Sequence, residues 1–259
     1  MISLFKNLYR YRQMLFSLVH RELRGRYKGS VLGFLWTFLN PLLQMFVYTF
    51  VFSIIMRSNI EKYYLFLFVA LVPWIFFSTS LTGGCACILN SADMVKKIYF
   101  PREILPLSFV TTAFVNMLYC FIVVFAVLFI SGIGFNFLAL IYLPLILLIE
   151  YIFTLGISLL SSALTVYFRD LQHILGIFTL AWQMLTPVMY SSKNVPDRYL
   201  TLFNMNPMTP IVEAFRSILY YKEIPHLENL LSAVLFGVVF LLLGELVFSK
   251  LQKGFAEEL

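Results

Sequence analysis

The sequence predicts an all-α integral membrane protein with six transmembrane helices and both termini in the cytoplasm, and three observations carry that expectation. Hydrophobic residues make up 61% of the chain and charged residues 12%, about half the charged share of a soluble domain. Six apolar runs, at 31–56, 63–82, 105–130, 137–168, 171–190 and 230–248, are each long enough to cross roughly 30 Å of hydrocarbon as a helix. With the N-terminus inside, thirteen lysines and arginines fall in inner segments and six in outer ones, the bias that orients membrane proteins.

Residues 1–30 read as an N-terminal amphipathic helix lying in the membrane interface. Leu4, Leu8, Tyr11, Leu15 and Leu18 recur at helical spacing, opposite Lys6, Arg10, Gln13, Ser17, His20 and Arg24. The cationic face suits lipid phosphates, a partner protein, or both. Arg21, Arg24, Arg26 and Lys28 directly precede the first apolar run and hold that end in the cytoplasm. Residues 31–250 then compose the transmembrane domain and 251–259 a cytoplasmic tail. The net charge of +6 points to anionic lipid rather than nucleic acid, because no soluble domain is left over to bind one. No cleavable signal peptide is expected, since the first apolar run is about twice the length of a signal core.

The first, fourth and fifth runs each carry small or polar residues at helical spacing. They are Gly33, Thr37, Asn40, Gln44 and Tyr48 in the first, and Glu150, Thr154, Ser158, Ser161 and Thr165 in the fourth. The fifth holds Gln172, Gly176, Thr179, Gln183, Thr186 and Tyr190. Facing lipid, these groups would go unpaired, so the stripes must face other helices or a water-filled path. Helix packing accounts for all three. In the first and fifth, amides beside Trp36, Tyr48, Trp182 and Tyr190 also suit a conduit for sugar rings, whose hydroxyls want hydrogen bonds and whose CH faces stack on aromatics. The candidate conduit set is therefore Trp36, Asn40, Gln44, Tyr48, Thr179, Trp182, Gln183 and Tyr190. Glu150 is an acid deep in a span, a position that suits either an interhelical hydrogen bond or a transport role. The last run lacks a polar stripe and is expected at the bundle edge.

Two loops carry structure of their own. Residues 90–103 read as a short cytoplasmic helix with N-cap chemistry at its start, Asp93 in its first turn, Lys96 and Lys97 in its last, and Pro101 closing it. The outer segment 191–228 reads as two amphipathic helices broken at Asn206-Pro207, started by Pro196 and Pro210 with Thr209 as a cap, forming a re-entrant lid at the outer mouth. Cys85, Cys87 and Cys120 lack the spacing of a zinc site or a disulfide framework and read as packing.

Catalytic chemistry is missing from the pattern. No G-x-x-x-x-G-K-[ST] phosphate loop occurs, and His20, His173 and His226 are scattered. With no metal site and no nucleophile beside a base, the chain reads as a transport subunit, not an enzyme, driven by a partner or by an ion gradient.

Five motifs in order resemble the permease subunit of type 2 ABC exporters of the polysaccharide class, which export O-antigen, capsule or teichoic acid. They are Arg21-Glu22-Leu23-Arg24 through Tyr27 to Leu32-Gly33-Phe34-Leu35-Trp36 and Asn40-Pro41; Phe100-Pro101-Arg102-Glu103-Ile104-Leu105-Pro106; Tyr167-Phe168-Arg169-Asp170-Leu171; Thr186-Pro187-Val188-Met189-Tyr190; and Asn206-Pro207-Met208-Thr209-Pro210. Thr186 departs mildly from the serine more usual before Pro-Val. The resemblance covers nearly the whole chain.

That resemblance implies a homodimer in the bacterial inner membrane carrying a polyprenyl-linked polysaccharide, with two copies of a soluble P-loop ATPase beneath. The partner would bind ATP and Mg, and this chain would hold no cofactor. It implies ATPase docking through Arg21, Arg24, Asp93, Met94, Lys96 and Lys97, with 90–103 as the coupling loop. It also implies an outer gate at Pro187, Pro207, Pro210, Glu213 and Arg216. Two other readings remain: an ABC exporter of a drug or small lipid, and an ion-coupled secondary transporter using Glu150, although no internal repeat is recognisable.

Overall fold

The computed structural model describes residues 9–25 and 29–259, and the described secondary structure is helical throughout. Leu4, Lys6, Leu8, Arg26, Tyr27 and Lys28 lie outside the described residues. In chain order the helices are α1 (Arg12–Gly25), α2 (Trp36–Thr49), α3 (Tyr63–Gly84), α4 (Ala92–Lys97), α5 (Ile104–Ile130), α6 (Leu143–Tyr167), α7 (Leu171–Leu185), α8 (Asp197–Asn204), α9 (Met208–Arg216) and α10 (Leu227–Leu251). A wider π turn prolongs α2 over Phe50–Ile55 and α9 over Ser217–Tyr221.

Five stretches are long and apolar enough to cross a membrane: Gly33–Ile55, Tyr63–Gly84, Ile104–Ile130, Phe137–Tyr167 and Leu227–Glu258. The run expected as the fifth of six spans is shorter as a helix. Its 15 residues reach about 22 Å at 1.5 Å per residue. Thr186 turns to extended backbone directly before Pro187, the conformation that a following proline favours.

α3 is the axis of the bundle. It is apolar on all sides, and a helix of that kind is stable only when surrounded; Leu65 to Val72, Trp74, Phe76 and Phe77 are all buried. Phe77 stacks on Phe153 of α6 at 5.4 Å and meets Trp182 of α7 edge-on at 5.0 Å. The polar stripe of α6 is a packing face within the protomer, since Glu150, Thr154, Ser158, Ser161 and Thr165 are all buried.

α10 sits at the edge, as its lack of a polar stripe suggests, with Leu231, Leu235 and Leu246 exposed. Its other face lies on α6 through glycines. A Cβ on Gly156 would meet the backbone of Phe240 and Leu241, and one on Gly244 would land on the Gly156 carbonyl. This is the small-residue contact that lets membrane helices approach closely.

A second apolar cluster closes the inner end. Leu18 of α1, Val95 of α4, Phe100, Ile104, Leu105, Phe248 and Phe255 are buried together. The segment 251–259, expected as a tail, folds into this cluster. Gln252 Nε2 donates to Glu103 Oε1 at 2.9 Å, the Arg102 guanidinium donates to the Gln252 carbonyl, and Tyr167 donates to the Leu251 carbonyl at 2.8 Å. The expected cytoplasmic helix is α4, with Asp93 in its first turn and Lys96 and Lys97 in its last. Its N-cap differs from expectation, because the Ser91 side chain makes no capping bond. The three cysteines are buried and free.

Gly244→Leu is expected to separate α6 from α10 and to destabilise the fold by roughly 1–3 kcal/mol or more, the usual cost of overpacking. Thermal melting in detergent checks this: an unchanged midpoint would mean that the glycine crossing is not a tight contact.

Candidate functional site

Two of the three polar stripes meet across α3. Asn40, Gln44 and Tyr48 of α2 face Gly176, Thr179 and Gln183 of α7 over a groove of about 340 Å³. The floor is α3, through Trp74, Ser78, Thr79 and Thr82. Among the described residues no charged side chain lines this groove. Asn40 and Gln44 are one helical turn apart, and the Gln44 amide donates to Asn40 Oδ1 at 3.1 Å. Thr179 and Thr82 return their hydroxyls to carbonyls one turn earlier, at 2.6 and 2.8 Å, so their methyl groups and the amides shape the surface.

The floor was legible but unread. Trp74, Ser78 and Thr82 stand at helical spacing, a stripe submerged in an otherwise apolar run.

Not every expected conduit residue is on this groove. Trp36 lies on an adjoining cavity and donates its indole N–H to Ser30 Oγ at 3.1 Å. Trp182, one position before Gln183, points about 100° away. Its Nε1 donates to Asn206 Oδ1 at 2.8 Å, and its ring packs between Phe77 and Phe178. Tyr190 lies beyond the end of α7 and donates to the Met184 carbonyl at 3.1 Å. Trp182 and Tyr190 therefore hold the outer end together and do not line the groove.

Asn206 ties α8 and α9 to α7. Besides Trp182 it accepts from the Met208 N–H at 3.0 Å, and it donates to Thr186 Oγ1 at 2.9 Å and to the Leu185 carbonyl at 3.3 Å. Asn206 thus caps α9, which corrects the expected cap at Thr209, whose hydroxyl is buried without a partner. Pro187, Pro207 and Pro210 are buried around this knot.

Arg216 fixes the other side of the outer end. Its side chain has no exposed surface. Nη2 donates to the Val188 carbonyl at 2.7 Å, Nη1 to the Tyr190 carbonyl at 3.2 Å and to Glu213 Oε1 at 3.3 Å, and Nε to the Phe66 carbonyl at 3.4 Å. The guanidinium carbon lies 3.6 Å from the centre of the Phe66 ring. Tyr63 donates to the Met189 carbonyl at 2.6 Å, so three consecutive carbonyls after Pro187 are held by side chains of α3 and α9.

At the inner end the residues expected to dock a partner lie on two separate hollows. Lys96 and Lys97 border one of about 860 Å³ with Arg10, Arg102 and Lys253. Asp93 is exposed and pairs with Lys97 at 3.6 Å, while Met94 packs against the inner cluster. Arg21 and Arg24 border another of about 1120 Å³ with His20, Phe34 and Tyr119. Tyr99 and Ile98, apolar and exposed beside α4, were not singled out in the sequence. Their position after the last lysine of an amphipathic turn was the available signal.

A model of the ABC-2 type transporter family matches residues 13–220. The chain belongs to that family. Along its whole length, and the whole of the relative, this transporter subunit is 38% identical to the O-antigen export system permease protein RfbA of Myxococcus xanthus. It is 32% identical to the protein of that name from Klebsiella pneumoniae over 94% of both chains. With the capsule polysaccharide export inner-membrane protein CtrC of Neisseria meningitidis serogroup B it shares 25% over 97% of this chain and 96% of the relative. As a transport component of this family with five long apolar helices, it is a multi-pass membrane protein.

Arg216→Leu removes the donor shared by the carbonyls of Phe66, Val188 and Tyr190 and by Glu213, and is expected to cost about 3–5 kcal/mol. The expected readout is loss of folded protein from the membrane fraction. Normal levels of a variant that melts like the parent would remove Arg216 from its structural role.

Proposed function

We propose that this chain is the transmembrane half of an ATP-driven exporter that moves a polyprenyl-linked polysaccharide from the cytoplasmic to the outer face of the bacterial inner membrane. The observation that carries the reading is the uncharged groove where the stripes of α2 and α7 face each other. Amides and aromatic rings in that arrangement give many weak contacts to a glycan, and a conduit must release as readily as it binds. The names of the RfbA and CtrC relatives support the cargo class.

Two copies would pair beside the groove. The outer faces of α2 and α7 are apolar and exposed, with Phe46, Val47 and Phe50 on one and Ile177 and Met184 on the other, so a second protomer there would complete the wall. In this arrangement α7 and the irregular segment 186–190 together cross the membrane as the fifth of six spans, both termini remain inside, and α8 with α9 covers the outer mouth as a gate. Each protomer would take one soluble P-loop ATPase, which supplies the ATP and Mg site. Docking uses Asp93, Lys96 and Lys97 on α4 and the basic face holding Arg21 and Arg24, with Met94 anchoring α4 in the inner cluster. Closure of the ATPase pair would move α4 and, through Gln252 and Glu103, the inner end of α10.

One observation favours a second reading. Both carboxylate oxygens of Glu150 are buried and have no hydrogen-bond partner, which suits an ion-coupled transporter. Export that survives an uncoupler while ATP is maintained separates the two.

Mild-detergent purification from native membranes is expected to recover a P-loop ATPase in a complex of two plus two. Asn40→Leu and Gln183→Leu, tested singly, are expected to lower polymer export severalfold with that complex intact. Export unchanged in both would reassign the groove to packing, and a permease recovered alone across several detergents would overturn the ATP-driven reading.

A further inference from the structure

Behind the groove lies a smaller cavity bounded by α2, α3 and α5. It offers about 100 Å³ to the centres of water-sized spheres, where one water needs roughly 10–15 Å³. The space suits a cluster of waters or one six-membered ring replacing them. Asn40, Ile75 and Thr79 border both this cavity and the groove, so the two adjoin along one edge.

Its wall is built for recognition rather than for sliding. Asn116 of α5 borders it, 8% exposed, and among the described residues neither the Nδ2 nor the Oδ1 of its amide has a partner. An unpaired buried amide costs about 1–3 kcal/mol, so a polar occupant that reaches it is stabilised by that much more than an exposed amide would allow. The rings of Trp36 and Phe76 stand on the same wall, and the indole N–H of Trp36 is already anchored on Ser30. Its ring is therefore positioned for stacking. Among the described residues no charged side chain borders the cavity, and burying an unpaired carboxylate there would be costly.

We propose that this cavity is a recognition subsite for one uncharged monosaccharide residue of the exported chain, with Asn116 reading its hydroxyls. The proposal rests on the export reading and adds to it a selection against acidic sugars at this position. A residue held by an amide and an aromatic face out of line with the groove would pause there. The subsite therefore reads a single unit, while the groove passes the rest.

The test uses the full permease–ATPase complex in lipid nanodiscs and needs neither transport nor nucleotide. Saturation-transfer NMR is recorded for methyl glycosides of neutral pyranoses (gluco, galacto, manno and rhamno) and for methyl glucuronide. Transfer is expected from at least one neutral glycoside and not from the glucuronide. Asn116→Leu, nearly isosteric, is expected to weaken the neutral signal about tenfold or more, the effect of one lost hydrogen-bonding group. Ala113→Met fills the cavity from the turn before Asn116 and should weaken the signal at least as much. Leu246→Ala, on the exposed face of α10 and outside both cavity and groove, should leave it unchanged.

Absence of transfer from every glycoside would show a cavity that holds water only and would overturn the subsite. So would equal transfer from the glucuronide, or an unchanged signal in both cavity variants in complexes that melt like the parent. In each case polymer export by the parent complex would leave the exporter reading standing. No export and no ATPase partner would overturn that reading separately.

Discussion

A guanidinium without solvent holds together the end of this bundle where α3, α7 and α9 meet. Arg216 can be buried only because three carbonyls and Glu213 accept its protons and the face of Phe66 covers its carbon. Two of those carbonyls, Val188 and Tyr190, belong to the turn that follows Pro187, which has no helical ladder to satisfy them. The charge and the irregular backbone are thus mutually necessary. Irregular backbone at this depth is tolerated because side chains of α3 and α9 hold it.

From that clamp follows the placement of the groove. The carbonyl of Phe66 is on α3, and α3 also supplies the floor between α2 and α7. Asn206 ties the outer helices to Trp182, Leu185 and Thr186 at the end of α7. α8 and α9 are therefore tied to α7, one of the two walls. At the other end, the bonds between Arg102, Glu103 and Gln252 link the segment after α4 to the end of α10. That link joins α4 and the segment after it to the glycine-packed pair α6 and α10.

Much of the architecture was readable in the sequence. Runs of apolar residues marked the long helices, because a helix that meets lipid or a packed bundle must be apolar over its length. Proline and asparagine marked the break between α8 and α9. The stripes on α2 and α7 were visible as periodicity, and they do face one another. The stripe on α6 had the same appearance and proved to be packing, since periodicity identifies a face and is silent on what covers it. The C-terminal segment looked like a tail because its few apolar residues, Phe255 among them, are too sparse to reveal a docking site on Phe248 and beneath Arg102.

What the sequence by itself determined is the membrane class, the long apolar helices, the polar faces and the absence of a phosphate-binding loop, all of which depend on composition and local spacing. Tertiary structure decided which residue of an adjacent pair is used, as with Trp182, bonded to Asn206, and Gln183, on the groove. It decided that α3 supplies the floor and that Asn116 stands on a cavity with its amide unpaired. The physical reason is range: helical periodicity is set by neighbours within a few turns, whereas these outcomes depend on partners more than twenty residues away in the chain.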